Sequence, residues 1–450
     1  MMTDLRNYHE NLVKELKNSL SGNKKRITVK KKTISNLFRY EDRKRLSNFQ
    51  IDLSNFNKPL YLDKESQTLE VQGLTTYESI VDFTLPLGYL PMITPELKHI
   101  TIGGAVVGIG IESNCYKYGF VHDSIIEAEV LLPDGRIVLC SADNKYSDLF
   151  YALPNSYGTL GYILKLKIKL RHVKKNVEIS SKKFTNTRDF VKGMSTATKD
   201  KSIDYIESLI YSDKSIYLIT VKETNSNKNV KSIYGRTIFY KEVSRTGKNI
   251  FPIKDYIFRY DPEWFWAIPQ TPLYNFFRSI APRKLRNSAF YSRYVDFQRR
   301  LSSKIPFMNF EDPNFELLIQ DWEVPWSEAS KILKYALDNL DLDGKPLMGV
   351  PIKVISSASN YPMQKGVMYF NLGSYSYVKK KTVKTPFVST KIMDEFCFDH
   401  GGIKMLYSSS FIDEKRFNSI YNGQSYKKLK RKYDPKSLSP TLFEKAVKGR

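Results

Sequence analysis

The most restrictive feature of this chain lies at residues 101–119, TIGGAVVGIGIESNCYKYG, with glycine at 103, 104, 108, 110 and 119. Glycine tolerates positive φ and lets main-chain N–H groups come close to a ligand. Such N–H groups can surround a pyrophosphate without any lysine. The spacing is neither G-x-G-x-x-G opening a helix nor GxxxxGK[ST], which argues against a Rossmann fold and a P-loop. Taken alone, the segment fits a glycine-rich bend in a sheet as well as an anion cradle. Its glycines suit a tight loop better than a membrane span.

The chain around it has 450 residues, enough for two or three domains with cores of their own. Cys115, Cys140 and Cys397 are odd in number and widely spaced, so neither a disulfide framework nor a CxxC site is expected. The five histidines (His9, His99, His122, His172 and His400) show no metal-ligand spacing, so no metal is expected. The first twenty residues hold no apolar stretch of signal-peptide length. No window approaches the roughly 20 apolar residues of a membrane span. The expectation is a cytoplasmic protein or one lying peripherally on a membrane.

The net charge is +24, and basic clusters occur at residues 24–26, 30–32, 379–381 and 427–432. It reads either as a solvated surface or as attraction to an anionic phase. No helix-turn-helix, RNP or zinc-finger pattern accompanies it, so an anionic membrane surface is favoured over nucleic acid.

Hydrophobic spacing predicts an amphipathic helix over 5–21, which either packs on the fold or rests on a membrane interface. Short strands follow at RITVK, FQIDL, PLYLD and TLEVQG, then a helix over 77–85. Pro133-Asp134-Gly135 marks a hairpin turn. A helix over 148–153 precedes a strand over 162–170, YILKLKIKL, which alternates like a half-buried strand. From about 176 strands alternate with an aromatic-rich region, 251–297. A helix over 327–340 and two further strands, GVPIKVIS and VMYFNLGSYS, come after it. The aromatic set Tyr256, Phe258, Tyr260, Trp264, Phe265 and Trp266 reads equally as core or as the lining of an apolar tunnel.

The order of blocks around the glycines carries more information. A V-x-G strand (VQG, 71–73) is followed by a glycine-to-proline step (GYLP, 88–91) and T-x-GG. Then come YG-x-x-x-D, a hairpin of the ADG type (PDG here), SDLFYA and GTLGYI. This series resembles the FAD-binding domain of vanillyl-alcohol-oxidase-type flavoproteins over about 100 residues. GIES-x-x-x-KYG and SDLFYA-x-P-x-S-x-GTLG are similar to the delta-24 sterol reductase group within that family. DYIFRYDPEWFWAIP, IQDWEVPW, MYFNLGSYS and GGIKMLYSSSFIDEKRF extend the likeness across nearly the whole chain. The YDPEWFWA and HGGIKMLYS wording looks nearer to bacterial members, some of which reduce methylene-branched fatty acyl chains.

The resemblance implies an α+β fold. A PCMH-type, two-lobed FAD-binding domain would span 1–175 and a substrate-binding cap domain 176–399, with a tail, 400–450, returning to the flavin. The family's G-x-G-x-S loop is replaced by GNKKRITVKKKTISNLFRY, so the first lobe reads as abbreviated. That region also lacks the histidine that anchors flavin covalently in some relatives, which implies non-covalent FAD.

By the same resemblance Thr101, Gly103, Gly104, Gly108, Gly110 and Ser113 would line the cofactor. Gly158, Thr159, Gly161 and Ile163 would close over its nucleotide. Tyr118, Gly119 and Asp123 would either shape the loop or touch FAD. The implied reaction is hydride transfer from flavin N5 to a lipid carbon–carbon double bond with protonation of the other carbon, NADPH being the expected electron donor. Proton donors or flavin partners are sought among Glu112, Tyr375, Lys404 and Tyr407, with His400 the weakest. Two other readings stand beside it: an FAD-dependent oxidase or dehydrogenase of an alcohol on a sugar or polyprenyl carrier, and an inactive binding protein of flavin fold.

Overall fold

The computed structural model describes residues 2–20, 25–32, 49–234, 238–243, 248–267, 272–294, 314–380 and 386–448. Its strands form three sheets. A short parallel pair joins β1 (Ile27–Lys30) to β2 (Phe49–Asp52). An antiparallel sheet contains β3 (Pro59–Asp63), β4 (Thr68–Gln72), β5 (Tyr89–Pro91), β6 (Ile125–Leu131), β7 (Ile137–Ser141) and β8 (Tyr162–His172). Its order is β3-β4-β8-β6-β7, with β5 also paired to β8. The third sheet takes β9 (Asn176–Phe184), β10 (Tyr205–Ser212), β11 (Ser215–Thr224), β12 (Lys248–Pro252) and β13 (Phe315–Pro325). It is completed by β14 (Leu347–Lys353), β15 (Met368–Lys379) and β16 (Ile403–Lys404), in the antiparallel order β12-β9-β11-β10-β14-β15-β13-β16. The fold is therefore a mixed α/β structure of several sheets.

Local sequence explains most of these elements. In β8, Leu164, Leu166, Ile168 and Leu170 are buried while the intervening lysines face outward, the two-residue period of a half-buried strand. The β6–β7 hairpin turns at Gly135, whose φ of 90° favours glycine. The helix Tyr77–Thr84 is capped by Thr76, whose side chain accepts from the Ser79 N–H.

The N-terminal helix, Met2–Leu20, packs on the fold. Leu16 and Leu20 share a core with Ile27, Ile51, Leu53, Phe56, Leu131 and Leu164. Its His9 bridges Glu129, at 3.0 Å, and Gln72.

Residues 101–119 depart from the expected tight loop. They hold two short helices, Ile102–Val107 and Cys115–Tyr118. Each glycine costs a helix about 1 kcal/mol against alanine, but here tertiary contacts prevail. The Thr101 hydroxyl accepts from the Gly104 N–H, and Ile102, Ala105 and Val106 are buried in the main core.

At the other end of the chain, the helix Gly423–Tyr433 lies against residue 159. Tyr426 donates to the Thr159 hydroxyl at 2.9 Å and Lys430 to its carbonyl at 2.8 Å. Among the described residues no helix is long and apolar enough to cross a membrane.

Candidate functional site

Where these elements converge they enclose a cavity of about 1050 Å³. That is the upper end of the roughly 300–1,000 Å³ usual for small-molecule sites. The segment after β4, the helix Ile102–Val107 and the 157–163 block line one part of it. Trp264, Phe265, Ala267 and the faces of β13, β14 and β15 line another. Gln50, from the β1–β2 pair, and the tail residues Pro440 and Lys445 also reach it.

The glycines do two different jobs. A Cβ on Gly73 would lie 2.0 Å from the Ile163 carbonyl oxygen, and one on Gly103 would lie 2.7 Å from the Gly73 carbonyl oxygen. These positions are glycine because two backbones pass in contact. Gly104 differs: a Cβ there would approach only the Thr101 hydroxyl, so its exposed face opens the backbone to the cavity. The N–H groups of Gly103, Gly104, Gly108 and Gly110 already donate within the protein, to Gly73, Thr101, Gly104 and Ala105. Arg26, Lys31 and Lys445 add positive charge to the lining.

Carboxylates supply the opposite sign. Arg259 is 1% exposed and forks onto Glu207 through Nε (2.9 Å) and Nη2 (2.8 Å). Nη2 also reaches Glu112 Oε1 at 2.9 Å and lies 3.6 Å from Glu96. Three carboxyls therefore surround one guanidinium, and only Glu96 and Glu112 reach the cavity. Ionising all three would leave a net negative charge in a dry site, which is costly. Burial pushes Glu96 well above the usual carboxyl range, reinforced by the charge of Glu112 and opposed by Arg259. Burial also raises Glu207, but the Arg259 fork and the Tyr260 hydroxyl (3.0 Å) favour its ionised form. Burial therefore favours the neutral form of Glu96, the carboxyl farthest from the guanidinium at 3.6 Å. Glu112 Oε1 accepts from the Ser113 N–H and hydroxyl, while its buried Oε2 has no partner among the described residues.

A second cluster stands on the eight-stranded sheet. Asp321 accepts from Tyr375 (2.7 Å), Tyr407 (2.8 Å) and Asn371 (2.8 Å). Burial raises the Asp321 pKa, and these three donors hold it down. Gly373, which pairs with Asp321 across the ladder, leaves the room this needs. A Cβ there would lie 2.7 Å from Asp321 Oδ1 and 2.8 Å from the Tyr375 hydroxyl.

Apolar side chains fill the space between, including Trp264, Phe265, Ile319, Met348, Val350 and Met405. Phe265 stacks on Tyr375 with centroids 4.1 Å apart. Trp264 and Phe265 both have left-handed backbone, at φ 45° and 57°, as do the lining residues Ile109 (59°) and Tyr157 (49°). Such conformations cost on the order of 1–3 kcal/mol each and gather where a site requires them.

Of the residues expected to act, Glu112, Tyr375 and Tyr407 line the cavity. Lys404 does not. It pairs with Trp322, the neighbour of Asp321, so alternation sends its side chain to the other face of the sheet. There its ammonium bonds Asp394 (2.7 Å) and the Ser409 carbonyl (2.8 Å). His400 ends the helix Val388–Asp399, where it bonds the Phe396 carbonyl and stacks on that ring.

Of the residues expected at the cofactor, Thr101, Gly103, Gly104, Gly108, Gly110, Gly158, Gly161 and Ile163 line the cavity, whereas Ser113, Tyr118, Gly119, Asp123 and Thr159 lie outside it. Ser113 serves Glu112 and Tyr256, and Tyr118 lies beside Arg171. Asp123 accepts from the Phe120 and Ser356 N–H groups and fills the space beside Gly119. Thr159 anchors the helix Gly423–Tyr433. The aromatic set divides: Trp264 and Phe265 face the cavity, while Tyr256, Phe258, Tyr260 and Trp266 are core. Glu96, Asp321, Asn371, Glu207 and Arg259 carried no signal of their own in the sequence. Lys31 and Lys32 belong to the described residues, whereas 33–36 lie outside them.

The FAD binding domain family matches residues 34–141, which include the T-x-GG helix and the β6–β7 hairpin. The Delta(24)-sterol reductase of Pisum sativum is 25% identical over 470 residues, covering 94% of this chain and 80% of that protein. The Homo sapiens Delta(24)-sterol reductase is 25% identical over 412 residues, covering 87% and 76%. The chain is an FAD-linked oxidoreductase, similar to the delta(24)-sterol reductases over most of its length. Cytokinin dehydrogenase 3 of Arabidopsis thaliana is 26% identical over 155 residues, covering 34% of this chain and 28% of that protein. That likeness extends over only a third of this flavoprotein. Among its described residues no cluster of three or more His, Cys, Asp or Glu could hold a metal.

Proposed function

We propose that this flavoprotein reduces a carbon–carbon double bond in a lipid, either a sterol side chain or an unsaturated or methylene-bearing acyl chain, with NADPH as electron donor. One observation carries the reading: a single cavity joins a glycine-lined, cation-bearing part to an apolar part that also holds the carboxyl of Glu96, whose pKa burial raises.

The residues present fit FAD. The open face of Gly104 and the cations Arg26, Lys31 and Lys445 suit a diphosphate, and the volume admits a dinucleotide. No histidine or cysteine is among the described lining residues, which supports non-covalent binding. In this reading residues 1–175 form a two-lobed FAD-binding unit whose first lobe is reduced, 176–399 the substrate side, and 400–450 a tail near the flavin. Bound FAD, once reduced, supplies the hydride.

The chain's own residues do the rest. Glu96 holds the proton destined for the second carbon. Arg259 and Glu112 set the charge around it. Trp264, Phe265, Ile319, Met348, Val350 and Met405 exclude water and receive the apolar substrate.

Anaerobic titration of the purified chain tests this. The protein should be yellow, bleached by NADPH and reoxidised by a sterol or acyl lipid carrying the double bond. Protein that binds no FAD ends the proposal, and reduction by a sugar or polyprenyl alcohol would make it an alcohol dehydrogenase instead. Glu96→Gln should keep the flavin spectrum and lose about 10²–10⁴-fold in turnover. Because the acid form acts, wild-type turnover should hold at low pH and fall as pH rises through the elevated Glu96 pKa. The glutamine variant should lack that fall.

A further inference from the structure

Among the described residues, an apolar face of the surface is left uncovered. In the helix Pro272–Ile280, Phe276, Phe277 and Ile280 are 60%, 57% and 64% exposed. They lie on one side, one helical turn deep. Leu285 and Phe290, just beyond, are also exposed. Isolated apolar residues on a surface need no explanation, but large ones gathered within fifteen positions do.

Charge identifies the occupant. Residues 272–294 contain no Asp or Glu and five cations, Arg278, Arg283, Lys284, Arg286 and Arg293. Arg283, Lys284 and Arg293 are exposed in the same stretch of chain. Two copies meeting through it would bring like charges together, whereas an anionic bilayer offers hydrocarbon and negative headgroups at once. The chain's net charge of +24 acts in the same direction.

The face is also tied to the cavity. Arg278 pairs with Glu263, the Ser288 hydroxyl donates to Asp261 at 2.6 Å, and the Tyr291 hydroxyl donates to the Pro262 carbonyl at 3.0 Å. All three anchors fall on the turn 261–263, which delivers Trp264 and Phe265 to the lining.

We propose that the face built by Phe276, Phe277, Ile280, Leu285 and Phe290 docks on an anionic phospholipid bilayer and brings the Trp264–Phe265 side of the cavity to the lipid. The docking follows from the surface itself, and the delivery of substrate rests on the lipid-reducing function proposed above.

Flotation of the full chain with phosphatidylcholine vesicles, with and without phosphatidylserine, tests the docking. Wild type should float with the anionic vesicles, less with the neutral ones, and less as salt increases. Phe276→Ser/Phe277→Ser/Ile280→Ser should weaken flotation by at least about tenfold. Lys284→Glu/Arg293→Glu should abolish the preference for phosphatidylserine. Both variants should keep the wild-type circular dichroism, flavin content and elution volume, because the substituted side chains are exposed. On a substrate presented in cyclodextrin the serine variant should turn over like wild type, and on vesicle-borne substrate it should be slower. Equal flotation of variant and wild type, or no flotation of wild type, overturns the proposal. So does a wild-type dimer that the serine variant splits, which would assign the face to a second copy. Lost flotation in a protein that reduces no lipid leaves the docking standing and removes the substrate reading.

Discussion

The glycine-lined and acid-bearing parts of the cavity are made in different ways. Gly73, Gly103, Gly104, Gly158, Gly161 and Ile163 come from neighbouring stretches of one sheet unit, and what matters about them is backbone: close approach, one open face, positive φ. The acid-bearing part joins Glu112 to Arg259 across 147 positions and Asp321 to Tyr407 across 86. What matters there is which carboxyl keeps a proton, and that depends on several chains of contact at once. The first part has little freedom to vary. The second can be retuned by one hydrogen bond, which is where specificity in proton delivery would evolve.

That contrast can be broken most forcefully at Gly73. An added methyl would meet the Ile163 carbonyl at 2.0 Å, and backbone cannot step aside as a side chain can. Gly73→Ala should destabilise the protein by about 3 kcal/mol or more and abolish flavin retention. A yellow variant with an unchanged melting temperature would show that this backbone contact is dispensable. Next in size is Arg259→Leu, which strands Glu112 and Glu207 without a counter-charge. A loss of about 3–5 kcal/mol is expected in denaturant unfolding. The loss should shrink at low pH, where the carboxyls are neutral. The flavin should be retained if the two parts are independent, so its loss at low denaturant would instead couple them.

The same contrast decides what could be read in advance. The glycine segment announced itself because its meaning is local, and so did β8, whose alternation of Lys165, Lys167 and Lys169 with apolar residues follows from one strand alone. That 102–107 is a helix was hidden by its glycines, because Thr101 capping and core packing outweigh their poor propensity. Glu96 and Asp321 look like any other acid in PELK and IQDW. Nothing local says that three carboxyls meet at Arg259, or that two tyrosines converge on one aspartate. Lys404 and Tyr407, three apart in one block, read alike until the pairing of Lys404 with Trp322 sends the lysine away. Trp264 and Phe265 differ from Tyr260 and Trp266 only through two successive left-handed residues, which composition does not reveal.

The smallest effect tests whether the acid-bearing part is as tunable as its geometry implies. Tyr407→Phe removes one of three donors from Asp321 and leaves the phenyl ring in place. Losing a hydrogen bond to a buried carboxylate should cost about 1–3 kcal/mol near neutral pH. Asp321 already titrates above its unfolded value because burial outweighs its donors. Its favourable contribution is therefore complete below the unfolded pKa and is lost as pH rises through the folded one. With one donor fewer, the folded pKa moves further up. Variant and wild type should then have nearly equal stability in acid and diverge as Asp321 ionises, which melting temperatures measured across pH would follow. A gap that stays constant from acid to neutral pH would mean that the Tyr407 hydroxyl stabilises packing, not the charge on Asp321. Turnover measured on the same variant separates the parts once more. If Glu96 alone delivers the proton, the pH at which turnover falls should stay where it is.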